Sequence, residues 1–130
     1  MMTELESLIV QECKKAHVEK IYELRSPRIL GGIPIKIKPI SNSAYYSIVN
    51  SCTLPDGRLD TERLHAEIFA ECLVEPCLMR GEFMDAVGAS DALGMTRKLF
   101  PEPGQVRTLR QKIEEISGFA DDEEAEFHEC

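Results

Sequence analysis

The chain has 130 residues, 43% hydrophobic and 29% charged, a composition that predicts one globular domain and excludes wholesale disorder. The net charge of −8 is uneven, because six acids lie in residues 121–130 and the rest of the chain carries 17 acids against 15 bases. No basic run offers a phosphate-binding surface and no apolar run reaches membrane length, so neither nucleic acid nor a membrane is expected as a partner.

The first predicted element is a short helix over residues 4–16. Leu5, Leu8, Ile9 and Cys13 recur there at helical spacing. The pattern predicts an amphipathic helix with one apolar face.

A small antiparallel β-hairpin is predicted next. Three isoleucines alternate with proline and lysine residues, the period of a half-buried strand: Ile33, Ile35 and Ile37. Gly31-Gly32 is typical of a two-residue turn, because both glycines reach positive φ without steric cost. The partner strand then lies within residues 20–30. A two-residue turn sets Leu30 opposite Ile33 but also Arg28 opposite Ile35, so the register of this strand stays open.

Two prolines limit the extent of this sheet. Pro27 and Pro34 suit edge positions, since proline cannot donate a hydrogen bond to a neighbouring strand. We therefore expect an isolated hairpin that packs on helices.

Helices are predicted for most of the remaining chain. Ser41 or Ser43 caps a short helix, and Asp60 or Thr61 caps the clearest core helix, which Pro76 ends. The core helix carries a broad apolar stripe: Leu64, Ile68, Phe69, Cys72 and Leu73. Two shorter helices follow at residues 82–87 and 91–100, separated by Gly88.

Pro101, Pro103 and Gly104 then stop one element before a last helix over residues 105–119. Its apolar residues form one narrow stripe: Val106, Leu109, Ile113 and Ile116. A stripe this narrow is typical of a helix–helix seam. It predicts either packing on the chain's own domain or a surface for a partner chain. Gly118 suits a left-handed residue after the helix, with Phe119 folding back on Ile113.

The predicted fold is therefore mainly α, a helical domain of about five helices with a small N-terminal antiparallel β-hairpin. Residues 1–119 form this domain, and residues 120–130 form an acidic, disordered tail. Two roles are open for the tail: a solvated end that raises solubility, or a segment that contacts a partner or rests near four bases. These bases are Arg97, Lys98, Arg107 and Arg110.

Candidate chemistry is weak throughout the chain. Cys72, Cys77 and His65 lack the second ligand pair that a zinc site needs, and no histidine sits in a known Cys–His catalytic signature. Gly31-Gly32 lacks the wider context of a phosphate-binding loop. We predict no catalytic, cofactor-binding or metal-binding residue. Five irregularly spaced cysteines favour a reduced, cytoplasmic protein.

The order of the segments nevertheless resembles one known family. The relevant segments are Ile35-Lys36-Ile37-Lys38-Pro39-Ile40-Ser41, Pro76-Cys77-Leu78 after the long helix, Leu99-Phe100-Pro101-Glu102-Pro103-Gly104, and Ile116-Ser117-Gly118-Phe119. Over residues 4–119 the chain is similar to the XkdN-like tail assembly chaperones of contractile-tailed phages and prophages. Cys77 departs from the pattern, which has a small polar residue there.

The resemblance implies a mainly helical, non-enzymatic protein. Such proteins bind the tape measure protein and keep it soluble during tail tube assembly, in the cytoplasm of the bacterial host, and are absent from the finished virion. The tail tube protein and further copies of this chain are additional candidate partners. The resemblance favours the partner-surface interpretation of the last helix, with five candidate residues: Val106, Leu109, Ile113, Ile116 and Phe119.

A second functional class stays open at this point. A small helical regulatory or adaptor protein that binds another protein or DNA has a similar composition. The nearly neutral body argues against the DNA-binding version of it.

Overall fold

The computed structural model describes residues 1–16 and 20–118. Six α-helices and three short strands make up this part of the chain. In order they are α1 (Glu4–Ala16), β1 (Tyr22–Leu24), β2 (Ile35–Ile37), α2 (Asn42–Ser51), α3 (Thr61–Cys72), β3 (Leu73–Glu75), α4 (Gly81–Val87), α5 (Ala92–Leu99) and α6 (Pro103–Ile116).

The mainly helical fold class is confirmed, and the predicted count of about five helices is one too low. The two shorter helices predicted between α3 and α6 are both present, as α4 and α5. Gly88 separates them with a left-handed backbone (φ 87°), a conformation that glycine adopts at little cost. The Asp91 side chain then accepts a hydrogen bond from Gly94 N at 2.7 Å and starts α5.

The strand around Ile35 and Ile37 is confirmed, with both isoleucines buried and Lys36 between them exposed. It pairs antiparallel with β1, as expected for a hairpin. The predicted two-residue turn is wrong, because β1 ends at Leu24 and a longer connection leads to β2. Gly31-Gly32 lies instead in a 3₁₀ turn over Leu30–Gly32, where both glycines keep positive φ.

The prediction of an isolated hairpin is also wrong. β3 pairs antiparallel with the other side of β2, so the sheet has the order β1-β2-β3. Pro27 and Pro34 do not prevent this pairing, because both precede β2 and neither occupies a paired position. The sequence pattern extends the core helix as far as Pro76, but the helix stops at Cys72 and the next three residues form β3.

α3 is the centre of the domain and packs against α2, α5 and α6. Ala66, Phe69 and Cys72 are completely buried. The Phe69 ring meets the Phe100 ring edge to face, with centroids 5.7 Å apart. The broad apolar stripe predicted for this helix is therefore the main contribution to the core.

The start of α3 depends on a side-chain cap. Asp60 accepts a hydrogen bond from the backbone N–H of Arg63 at 3.2 Å, which satisfies one of the free donors of the first turn. We expect Asp60→Ala to lower the free energy of unfolding by about 0.5–2 kcal/mol, and Asp60→Asn to lower it much less. Urea denaturation of both variants measures the difference; equal losses would contradict a capping role.

α6 is fixed at both ends. The backbone N–H of Glu102 donates to the Gln105 side chain at 3.1 Å, and Pro103 opens the helix. Beyond its last turn, Ser117 Oγ accepts from the backbone N–H of Ile40 at 3.0 Å. Gly118 has the predicted positive φ. Phe119 and the predicted tail, residues 120–130, lie outside the described residues.

Candidate partner-binding surface

α1 is a helix whose first turn is stabilised by its own side chains. The Thr3 N–H donates to the Glu6 carboxylate at 3.0 Å, and the Glu6 N–H donates to Thr3 Oγ1 at 3.1 Å. These reciprocal bonds are a capping box. The hydrogen bonds from Thr3 lower the pKa of the Glu6 carboxyl, which favours its charged form at the positive end of the helix dipole.

The apolar side of α1 is uncovered. Leu5, Leu8 and Ile9 are 66%, 54% and 51% exposed, and Cys13 on the same side is also exposed. No α1 residue belongs to the hydrophobic core that the described residues form. We call the surface made by these four side chains the α1 face.

An uncovered face of this kind favours association. Burying a leucine or isoleucine side chain completely stabilises by about 1.5–3 kcal/mol relative to leaving it in water. A helix of 13 residues is also near the lower limit for stability in water, so contact with a partner would stabilise the helix itself. The α1 face therefore has the physical properties of a binding surface for another apolar helix.

The stripe of α6 has a different environment. Leu109 and Ile113 are 0% and 1% exposed and form part of the core, while Val106 and Ile116 are half-buried and pack against it. The structure brings these four residues together on one side of α6. A partner could reach the central two only if α6 left the domain. Their role in binding stays a prediction.

A shallow groove lies between α3 and α6, with a volume of about 470 Å³. His65, Val106 and Arg110 line it, and Arg110 is paired with Glu114 at 2.9 Å. Burial, and next the charge of Arg110, lower the pKa of His65, so the imidazole is neutral at pH 7. The groove thus combines two apolar residues, Val106 and Pro103, with polar and charged side chains that include the Arg110–Glu114 ion pair.

The buried cysteines have the properties of core residues. Cys52 and Cys72 are 1% and 0% exposed. Burial, and next the charge of Glu71, raise the pKa of the Cys72 thiol to about 12, so it is protonated and weakly nucleophilic at pH 7. Within residues 1–16 and 20–118, no three His, Cys, Asp or Glu side chains cluster to hold a metal ion.

Because the pKa of Cys72 is raised, the free energy of unfolding should depend on pH in the alkaline range. The folded state keeps the Cys72 proton up to about pH 12, whereas the unfolded state releases it near pH 9. The free energy of unfolding should therefore fall above pH 9, by at most about 1.4 kcal/mol per pH unit from this group. Urea denaturation of the parent and Cys72→Ala between pH 8 and 10.5 isolates the effect, and parallel pH profiles would contradict it.

Helical spacing alone places the four residues of the α1 face on one side of a helix but indicates no function for them. The Thr3-x-x-Glu6 spacing is the usual signature of a capping box and could have predicted the start of α1. No helix in the described part of the chain is long and apolar enough to cross a membrane.

Comparison with known proteins adds two findings. The family model of the phage XkdN-like tail assembly chaperone protein matches residues 5–129. The fold is similar to the crystal structure of the protein YqbN, with a TM-score of 0.64 and 23% identity over 78% of this chain and 87% of that one. No curated protein matches the chain.

Proposed function

The chain belongs to the phage XkdN-like tail assembly chaperones, and from this membership we propose that it binds the tape measure protein of a tail and keeps it soluble. A tape measure protein is long and rich in amphipathic helices, whose apolar stripes aggregate when they are exposed. The proposed role is to cover such stripes until the tail tube assembles. It requires binding and no catalysis.

The uncovered α1 face is the observation that supports this proposal. Its apolar side chains lie at positions i, i+3, i+4 and i+8 of a helix, the spacing that meets another helix along its length. A partner helix on this face would remove three large apolar side chains from water without disturbing the core.

α6 offers a second, smaller contact. Val106 and Ile116, the half-buried ends of its stripe, could touch a partner while Leu109 and Ile113 remain in the core. Binding that uses all of Val106, Leu109, Ile113, Ile116 and Phe119 would need the helix to detach. We therefore place the main contact on α1.

The proposed setting is the cytoplasm of the infected or lysogenic bacterium, before the tail is complete. The chain is then expected in assembly intermediates and not in the finished virion. The tail tube protein is a further partner to test, because it displaces the chaperone from the tape measure in this scheme.

Co-expression with the tape measure protein of the same phage tests the proposal. We expect the tape measure to move from the insoluble to the soluble fraction and to co-purify with this chain. A matched co-expression with Leu8→Glu should leave it insoluble. A tape measure that is equally insoluble with and without the chain would contradict the proposal.

A further inference from the structure

We propose that a small cavity at the junction of α5 and α6 is a binding site for a phenol group, carried either by a tyrosine of another chain or by a free phenolic molecule. The cavity has a volume of about 340 Å³ and lies between the end of α5 and the start of α6. None of its lining residues belongs to α1. The proposal therefore does not depend on the proposed function.

The hydroxyl of Thr96 is the observation that points to a ligand. Thr96 lines the cavity and is only 4% exposed, and among the described residues its Oγ1 is the one buried side-chain oxygen or nitrogen without a hydrogen-bond partner. Such a group costs stability, because it has lost its bonds to water and gained none in return. Threonine in a helix adopts two χ1 rotamers, so the hydroxyl can turn towards a bound group without movement of the backbone. A ligand that offers a hydrogen-bonding group there would recover this loss.

The walls of the cavity favour an aromatic body for the ligand. Four of the lining residues are apolar: Phe100, Pro101, Pro103 and Val106. Both prolines are exposed and Val106 is half-buried, so these three remain open to a ligand. An aromatic ring buries a large apolar area against such side chains. The volume is at the small end of the ~300–1,000 Å³ of ligand pockets, which suits a single ring.

The charged residues of the cavity favour a neutral ligand. Glu62 and Glu102 lie beside one base, Arg97, which is already paired with Glu62. An anionic ligand would therefore face an excess of negative charge. All three side chains are exposed, so none accompanies an ammonium group to the buried Thr96 hydroxyl, where an unpaired charge would be costly. A phenol is neutral at pH 7 and both donates and accepts hydrogen bonds, which meets these requirements.

The surroundings of the cavity leave room for a tyrosine that is part of a chain. The cavity adjoins the groove between α3 and α6, because Glu62, Pro103 and Val106 line both. A chain whose tyrosine ring enters the cavity can therefore continue along the groove.

Titration of the full chain, followed by NMR, tests the site with three probes: N-acetyltyrosinamide, N-acetylphenylalaninamide and 4-methylphenol. We expect the tyrosine amide and 4-methylphenol to shift the resonances of Thr96 and Val106, with a Kd on the order of 1 mM. The phenylalanine amide lacks only the hydroxyl and should bind about three- to tenfold more weakly, the effect of one hydrogen bond.

The probes also separate the two sources of the phenol. Binding of both phenols would support a tyrosine in a chain, whereas binding of 4-methylphenol without the tyrosine amide would support a free phenolic molecule. Equal affinities for the two amides, or no binding of either phenol at 10-fold the expected Kd, would overturn the proposal.

Thr96→Val separates the effect of the hydroxyl from that of the cavity's shape. This variant should bind the tyrosine and phenylalanine amides equally, while Thr108→Val, the same change on α6 outside the cavity, should keep the preference for tyrosine. Without the unpaired hydroxyl, the free Thr96→Val protein should also melt about 3 °C higher than the unsubstituted protein. A lower melting temperature would show that the hydroxyl has a partner inside the folded chain, which would also overturn the proposal.

Discussion

The double substitution Leu109→Ser and Ile113→Ser is expected to abolish the folded state. Both side chains are almost completely buried in the core beside α3. Truncating a buried leucine or isoleucine costs about 2–5 kcal/mol, and a buried hydroxyl without a partner adds about 1–3 kcal/mol. The sum for two positions approaches the whole stability of a small domain, about 5–15 kcal/mol.

Circular dichroism and urea denaturation measure this effect. The control is Gln111→Ser, which makes the same change of helix propensity at an exposed position of α6. Leu109→Ala alone should remain folded but destabilised. A double variant that stays folded and loses only its association with other chains would instead show that the α6 stripe is a partner seam.

Leu8→Glu is expected to weaken binding of a helical tape measure segment by about 10- to 100-fold, since it removes the burial of one leucine, about 1.5–3 kcal/mol, and adds a charge. Stability should change by no more than about 0.5 kcal/mol, because Leu8 is more than half exposed and lies outside the core. Leucine and glutamate also have similar helix propensities.

The tape measure segment is titrated with the unsubstituted protein, with Leu8→Glu and with Gln11→Glu. The three affinities separate the possible causes of weaker binding. Gln11→Glu adds the same charge to the same helix away from the apolar face, so its affinity should match the parent. An equal loss in both variants would indicate a general charge effect. If neither variant loses affinity for the segment, the tape measure does not bind at the α1 face.

The sequence predicts the local elements of this fold well. Asp60 caps α3 and the alternation around Lys36 marks β2 because both signals depend on residues a few positions apart. β3 could not be predicted in this way. Leu73 continues the helical period of α3, and its pairing with Ile37 joins segments far apart in sequence. A period of two or 3.6 contains no information about such a distant strand.

The candidate binding surface could not be located from local sequence patterns either. α1 and α6 each carry an apolar stripe at helical spacing, and the narrower stripe of α6 suggested the partner surface. The structure buries Leu109 and Ile113 and leaves Leu5 and Leu8 exposed. Stripe width therefore did not indicate which face is covered.

The sequence by itself determined which segments are helical, which side of each is apolar, and the resemblance to tail assembly chaperones. These depend on caps, prolines, glycines and spacing, which act over one or two turns. Only the tertiary structure decided that α6 closes the core and that the α1 face remains in water. Burial is a property of distant segments packed together, and so it is decided by the whole fold.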